Sequence, residues 1–315
     1  MSPKLKRVAV ATAAVAVAVT GLATASTAHA QDEAAELKVM SFNLWHGGSQ
    51  VNDYRAKQVE FIKSTGADVI TLQESSVTSA RELAKALDWD YLQADADRGI
   101  ISRYEIVDDT QQPSNAGFGV HIELDSGQRV AVWNAHLGYD PYGPYDACFD
   151  NMSVDEILER EAESGRTGQI TDILADMRDD LANADQTPVL LTGDFNAPSH
   201  LDWTAATADS HCGYSDIPWP TSVKPAEAGL TDSFREANPD PAAVPGNTWS
   251  PVYPKHDGST GADEPQDRID YILYKGGLTV TDSQALVVGE PQPVPDHADN
   301  EWTSDHAAVL TTFGL

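Results

Sequence analysis

Basic residues are scarce in this chain. Lys and Arg together number 20 against 49 Asp and Glu, which gives a formal net charge of −29 at pH 7. Past the N-terminal segment they never cluster, so no long face for gripping phosphates is visible. A field of this sign repels a polyanion unless cations intervene. Tight binding of a nucleic-acid duplex is therefore disfavoured, while nuclease action at high divalent-ion concentration stays open. The same acidity serves solubility outside a cell. Cysteine is scarcer still: the chain has only Cys148 and Cys212, and no Cys/His spacing resembles a zinc cluster. After residue 30 no stretch is apolar enough to span a bilayer. No repeat, low-complexity block or long linker marks a domain boundary.

The long apolar run that does exist lies at the start. Lys4, Lys6 and Arg7 precede Val8–Leu22, which is rich in Ala and Val, and Ala28-His29-Ala30 supplies a small-residue cleavage site. A membrane anchor is the alternative, but the cleavage site favours removal. Residues 1–30 are thus expected to be a secretory signal peptide, leaving a soluble, secreted chain without a transmembrane segment. Losing three basic residues takes the formal charge from −29 to −32. The remaining residues, 31–315, are near the upper limit for one core and are expected to form one catalytic domain and a monomer. In an exported chain an even cysteine count favours a Cys148–Cys212 bridge. Closing that loop would stabilise the fold by about 4 kcal/mol in the chain-entropy account.

Hydrophobic patterning places strands over 36–42, 68–72, 98–108, 117–124, 129–137, 187–194, 268–274, 278–288 and 304–313. Asp125-Ser126-Gly127 reads as a hairpin turn. Helices are expected over 55–63, 80–87 and, briefly, 202–208. The longest should run from Val154 to Leu181, capped by Ser153 with Glu156 three residues on, with Gly165 and Gly168 as points of interruption. Pro and Gly gather in 138–144, 213–229, 239–262 and 289–295, which read as long surface loops. Many strands with few long helices point to two packed sheets with helices outside.

The chemistry gathers at strand ends. Thr187-Pro188-Val189-Leu190-Leu191 delivers Thr192-Gly193-Asp194-Phe195-Asn196, and Trp302-Thr303-Ser304-Asp305-His306 opens the last apolar run. Asn43, Glu74, Asn134, His136 and Asp270 border other strands in the same way. One mouth collecting carboxylate, amide and imidazole is equipped for metal-assisted hydrolysis of a phosphoester. A hard cation such as Mg²⁺ takes oxygen ligands and keeps several waters, so one or two carboxylates hold it. Glu74 is the first choice of ligand, with Asn43 and Asp305 beside it.

The fragments Ser41-Phe42-Asn43, Leu72-Gln73-Glu74, Ile101-Ser102-Arg103, Asn134-Ala135-His136-Leu137, Gly193-Asp194-Phe195-Asn196, Asp267-Arg268-Ile269-Asp270-Tyr271 and Ser304-Asp305-His306 resemble the endonuclease/exonuclease/phosphatase superfamily. Its members include pancreatic-type deoxyribonucleases, abasic-site endonucleases, bacterial sphingomyelinases and inositol polyphosphate 5-phosphatases. The fragments occur in family order across 37–315. The resemblance implies a four-layered α/β sandwich, two packed mixed β-sheets flanked by helices, with the site at one end. It implies Mg²⁺, with Mn²⁺ or Ca²⁺ as alternatives, on Glu74, Asn43 and Asp305. By the same resemblance Asp194 orients or deprotonates the attacking water and Asn196 donates to a phosphate oxygen. His306 acts as base or stabilises phosphate charge, Asp270 fixes its imidazole, and His136 contacts phosphate or the leaving group. Asn134 is expected to support His136, Arg103 to be structural and Asp267 to be a surface carboxylate.

The stretch from Leu137 to Cys148 matches no family motif. Its Tyr139, Tyr142 and Tyr145, interleaved with proline, suit a stacking-capable rim, with Trp219, Trp249 and Tyr253 opposite. Such rings either pack the loops or receive a flat base, a sugar or a choline-like headgroup. The expected activity is secreted, Mg²⁺-dependent phosphoester hydrolysis, leaning to a small-molecule or lipid-headgroup phosphodiester. The alternative is an extracellular nuclease. A non-enzymatic binding protein would be expected to lack the metal Glu, the Asp-x-Asn or the Asp-His, and all three are present.

Overall fold

The structure, a computed structural model, describes residues 35–256 and 261–315; the expected signal peptide lies outside the described residues. The chain begins with β1 (Glu36–Asn43), α1 (Tyr54–Thr65), β2 (Val69–Gln73), α2 (Ser79–Leu87), β3 (Asp90–Gln93) and β4 (Gly99–Ser102). It continues through β5 (Glu105–Ile106), β6 (Gln112–Ser114), β7 (Gly117–Glu123), β8 (Arg129–His136) and α3 (Gly143–Cys148). Then come α4 (Val154–Glu163), α5 (Arg166–Asp176), α6 (Arg178–Ala182), β9 (Val189–Asp194), α7 (Pro220–Glu227) and β10 (Thr231–Asp232). The last elements are α8 (Ser233–Ala237), β11 (Asp270–Lys275), β12 (Thr279–Leu286) and β13 (Ala308–Gly314).

Two sheets result. One has the order β12-β13-β1-β2-β4-β3; the other runs β10-β11-β9-β8-β7-β5, with β6 also paired to β7. Both are mixed, since β1–β2 and β8–β9 are parallel and their neighbours antiparallel. The two-residue period of a strand sorts the layers. Along β1, Leu37 and Val39 join Val120, Val132, Leu190 and Ile272 of the other sheet in the central core. Met40 and Phe42 instead share a cluster with Phe61 of α1 and Leu83 of α2. Along β8, Val130 and Val132 belong to the central core, whereas Ala131 and Trp133 pack with Ile170 and Ile173 of α5. The stack is therefore helix, sheet, sheet, helix: the expected four-layered sandwich. Each fully buried aliphatic side chain contributes about 1.5–3 kcal/mol. Among the described residues, no helix is long and apolar enough to cross a membrane.

Several expected elements change. The helix expected over 154–181 is three helices. Its capping box is present, with Ser153 N–H donating to Glu156 Oε2 at 2.8 Å and Glu156 N–H donating to Ser153 Oγ at 3.4 Å. The first break falls at Gly165, whose φ of 85° an L side chain resists; Gly168 sits inside α5 without breaking it. The strand expected over 98–108 divides at Arg103-Tyr104, so that β4 joins one sheet and β5 the other. Residues 202–207 are turns without a helix. The Pro/Gly-rich segments 138–144 and 213–229 are not all loop, because they enter α3 and α7, each with Pro in its first turn, where its missing N–H costs nothing. The short strands β3, β6 and β10 carry too few residues for patterning to reveal. Cys148 and Cys212 are bonded, with Cα atoms 5.3 Å apart, tying the end of α3 to the turn after His211.

Candidate active site

Strand register brings the site together. In one sheet, Asp194 at the end of β9 lies opposite His136 on β8 and Asp270 on β11. In the other, Asn43 ends β1 beside Gln73 on β2, and Glu74 follows immediately. Ser304, Asp305 and His306 lead into β13, where Ser304 Oγ donates to Asn43 O at 2.7 Å. Gly193 is required by close approach: a Cβ there would stand 1.9 Å from Ala135 O. Just beyond, Asn196 takes φ 50°, a left-handed conformation that Asn tolerates.

A cavity of about 590 Å³ opens at this end of the sandwich. Glu74, Asp97, Asp194 and Asp305 line it together with His46, His136 and His306, and no Lys or Arg does. A larger cavity, about 720 Å³, lies beside the disulfide and has none of the eight expected site residues in its lining.

Of those eight, Asn43, Asp194, Asp270, Asp305 and His306 are buried, and Glu74, His136 and Asn196 are partly so. Asn43 Nδ2 donates to Asp194 Oδ2 at 3.0 Å and to Glu74 Oε1 at 3.3 Å, while its carbonyl accepts from Trp45 N–H. Glu74 Oε2 accepts from His46 N–H at 3.0 Å. His306 Nδ1 lies 2.9 Å from Asp270 Oδ2, which leaves Nε2 3.8 Å from Asp194 Oδ2. His136 Nε2 approaches the same oxygen at 3.6 Å. Asn196 N–H donates to Asp194 Oδ1 at 2.8 Å, and its Nδ2 donates to Leu137 O.

Electrostatics follow from burial and crowding. Burial pulls the His306 imidazole down, but Asp270 and Asp194 outweigh it and raise its pKa well above 6.5. Burial likewise opposes charge on His136, yet the hydrogen bond it donates to Asp97 and the charge of Asp194 push it up to about 9. Asp194 is raised by burial and then by Asp270. Asp305 is raised to about 7 by burial, with Glu74 and Asp194 adding and His306 opposing. Oxygen Oδ1 of Asp305 is buried without a hydrogen-bond partner among the described residues. A crowd of carboxylates with an orphaned oxygen and no Lys or Arg in the cavity lining, Arg98 reaching only the outer carboxylate of Asp97 at 3.9 Å, fits a divalent cation. Single atoms of Asp194, Asp270 and His306 also lie within 4.8 Å of one another. A cation held there would have to displace the Asp270–His306 hydrogen bond.

Three expectations are corrected. Asn134 does not hold His136: its side chain accepts from Gln73 Nε2 and donates to Leu72 O and Gly99 O, stapling one sheet to the other. That support comes from Asp97, whose Oδ2 is 2.8 Å from His136 Nδ1. As one exposed-looking acid among many, Asp97 carried no sequence signal. Asp267 is no surface carboxylate. It is 2% exposed and accepts from Trp203 Nε1 at 2.8 Å, and burial first, then Asp202, raises it to about 7. Trp219 is not on the rim, since it is fully buried and edge-on to Trp203. Tyr139 and Trp249 do line the cavity, and Trp249 packs edge-on to His306 at 5.1 Å. Arg103 pairs with Asp68 outside the site.

Two sheets that carry carboxylate, amide and imidazole to one shared end define the class, a sandwich-fold hydrolase. The profile of the Endonuclease/Exonuclease/phosphatase family matches residues 40–306, and the chain belongs to that family. Enzymes of this family are divalent-metal-dependent hydrolases of phosphoester bonds. An uncharacterized protein of Caenorhabditis elegans is 34% identical over 290 residues, 88% of this chain and 91% of that protein. Solved structures share the fold at low identity. D. rerio TDP2 complexed with single-strand DNA product has a TM-score of 0.56 at 16% identity, over 89% of this chain and 100% of that one. The human Nocturnin catalytic domain with bound sulfate has 0.57 at 15%, over 88% and 94%. A Bacteroides thetaiotaomicron protein of the same family has 0.58 at 16%, over 89% and 95%.

Proposed function

We propose that this chain is a secreted, Mg²⁺-dependent phosphodiesterase acting on a small-molecule or lipid-headgroup substrate. The observation that carries the reading is the cavity with four carboxylates, three histidines and no Lys or Arg. Such a lining meets a phosphate productively only with a cation present. Glu74, with Asn43 and Asp305, would hold the ion, which when bound supplies Lewis-acid polarisation of a phosphoryl oxygen.

The chain's own groups do the rest. Asp194, held by Asn43 and Asn196, is oriented to accept a proton from water at Oδ2. His306 and His136 are both shifted toward the imidazolium form, so they serve as positive charges and proton donors facing the phosphate, not as bases. Asp270 fixes the His306 tautomer, so that Nε2 faces Asp194. Asn196 keeps a second amide hydrogen for a phosphate oxygen.

A nucleic-acid substrate is the second reading, favoured by the likeness in fold to TDP2, whose structure holds a single-strand DNA product. The net charge of −29 weighs against it. Assaying the mature chain with Mg²⁺ and with EDTA on bis(p-nitrophenyl) phosphate, sphingomyelin, RNA and plasmid DNA separates the two readings. Activity that survives EDTA dialysis overturns the metal assignment. Secretion is tested by N-terminal sequencing of protein from the medium, expected to begin at Gln31.

A further inference from the structure

Beside the candidate active site lies a second, narrower cavity of about 220 Å³, with Tyr139, Asp140, Tyr142, Tyr145 and Trp249 in its lining. It shares Tyr139, Asn196 and Trp249 with the active-site cavity of about 590 Å³, so one ligand can occupy both. Three of its aromatic walls have their polar tips engaged by residues outside the lining. Tyr145 Oη donates to Glu264 Oε1 at 2.5 Å, and Trp249 Nε1 donates to the same oxygen at 2.7 Å. Tyr142 Oη donates to Asp267 Oδ2 at 3.4 Å. Glu264 and Asp267 are both buried. Burial, reinforced by these carboxylates, raises both phenols, which keeps them neutral donors. The loop bearing Tyr139 and Asp140 is pinned from below by fully buried Arg166, which donates to Gly138 O at 2.9 Å and Pro141 O at 2.6 Å.

These contacts decide what the box can recognise. The polar atoms of Tyr142, Tyr145 and Trp249 are already used, which leaves Tyr139, Asp140 and Asn196 as the polar groups a ligand meets in this lining. A sugar or a nucleobase edge would find no free partner on the three engaged rings, and each group left unpaired against them costs about 1–3 kcal/mol. A weakly hydrated cation loses little on entry and gains the attraction of the ring faces. Asp140 adds a negative charge, and no Lys or Arg lines the box to oppose a cation. We propose that this aromatic box takes a quaternary ammonium group carried by one alcohol of the phosphodiester whose phosphate sits in the adjoining cavity. This rests on the phosphodiesterase reading above.

Binding tests it without relying on turnover. Calorimetric titration of the mature chain with choline chloride, with the neutral isostere 3,3-dimethylbutanol and with thymidine should rank choline first, by at least about fivefold over the isostere. Tyr139→Ala and Asp140→Asn alter exposed positions and should each weaken choline severalfold, with the thermal melt unchanged. Equal affinity for choline and its isostere, or tighter binding of thymidine, overturns the proposal. Hydrolysis of bis(p-nitrophenyl) phosphate reports separately on the phosphodiesterase reading. Choline binding without hydrolysis defeats that reading alone, and hydrolysis without choline preference defeats the box alone. Cleavage of soluble glycerophosphocholine against sphingomyelin vesicles then tells a free diester from a lipid source, and cleavage of either supports the ammonium site.

Discussion

His306 and Asp270 meet across the sandwich: Nδ1 of the imidazole lies 2.9 Å from Oδ2 of the carboxylate, and both side chains are buried. His306 precedes β13 of one sheet and Asp270 opens β11 of the other, so this hydrogen bond also joins the two sheets. Asp270 Oδ1 has no partner among the described residues, so the contact through Oδ2 to the imidazole is the side-chain hydrogen bond this carboxylate makes there.

The pair should act as one unit. His306→Ala is expected to lower turnover by several orders of magnitude, Asp270→Asn by somewhat less, and the double variant hardly more than His306→Ala alone. Asp270 raises the His306 pKa, so the imidazolium persists until pH rises through that elevated value. Without Asp270 the alkaline limb of the pH–rate profile should move to lower pH. Multiplicative losses with an unmoved profile would refute the coupling.

Glu74→Gln keeps volume and removes a ligand charge. Activity should fall at least about a hundredfold in saturating Mg²⁺ while the melting curve stays close to wild type. Metal titration by calorimetry should show weakened binding. Wild-type affinity in the variant would move the ion to another set of groups.

Removing the Cys148–Cys212 bridge, with its sequence separation of 64, should lower stability by about 4 kcal/mol. Cys148→Ala combined with Cys212→Ala and followed by urea denaturation gives that number. Thiol titration of the denatured, unreduced parent should find no reactive thiol; two would disprove the bridge.

Asp267 gives stability an unusual pH dependence. Its pKa is about 7 folded, against the ordinary 3.8, so between those values the folded state binds the extra proton. Its contribution to stability therefore increases as pH falls from about 7 toward 4 and is lost on the alkaline side. Asp267→Asn should flatten the stability–pH curve in that window. An unchanged slope in urea titrations at pH 5 and pH 8 would count against a protonated Asp267.

Local patterns carried most of the architecture. The apolar runs before Asn43, Glu74 and Asp194 announced buried strands because a strand covered on both faces is mostly apolar; β2 and β9 are buried at every residue, with their polar exceptions Thr71, Gln73, Thr192 and Asp194 toward the site end. The helix break at Gly165 was legible for a similar reason, since a left-handed backbone is a local property of glycine. Short pieces such as β3 and β10 were not legible, because their pairing comes from neighbours distant in the chain.

By itself the sequence determined the sandwich, the family and the eight polar groups at strand ends, because hydrophobic period and ordered motifs are written in consecutive residues. Only the tertiary structure decided their partners. Asp97 rather than Asn134 holds His136, Asp267 is buried beneath Trp203, Trp219 leaves the rim, and the rings of Tyr142, Tyr145 and Trp249 turn their polar atoms toward Glu264 and Asp267. Burial and hydrogen bonding depend on which segments meet in space, and a carboxylate in sequence looks the same whether water or an indole stands over it.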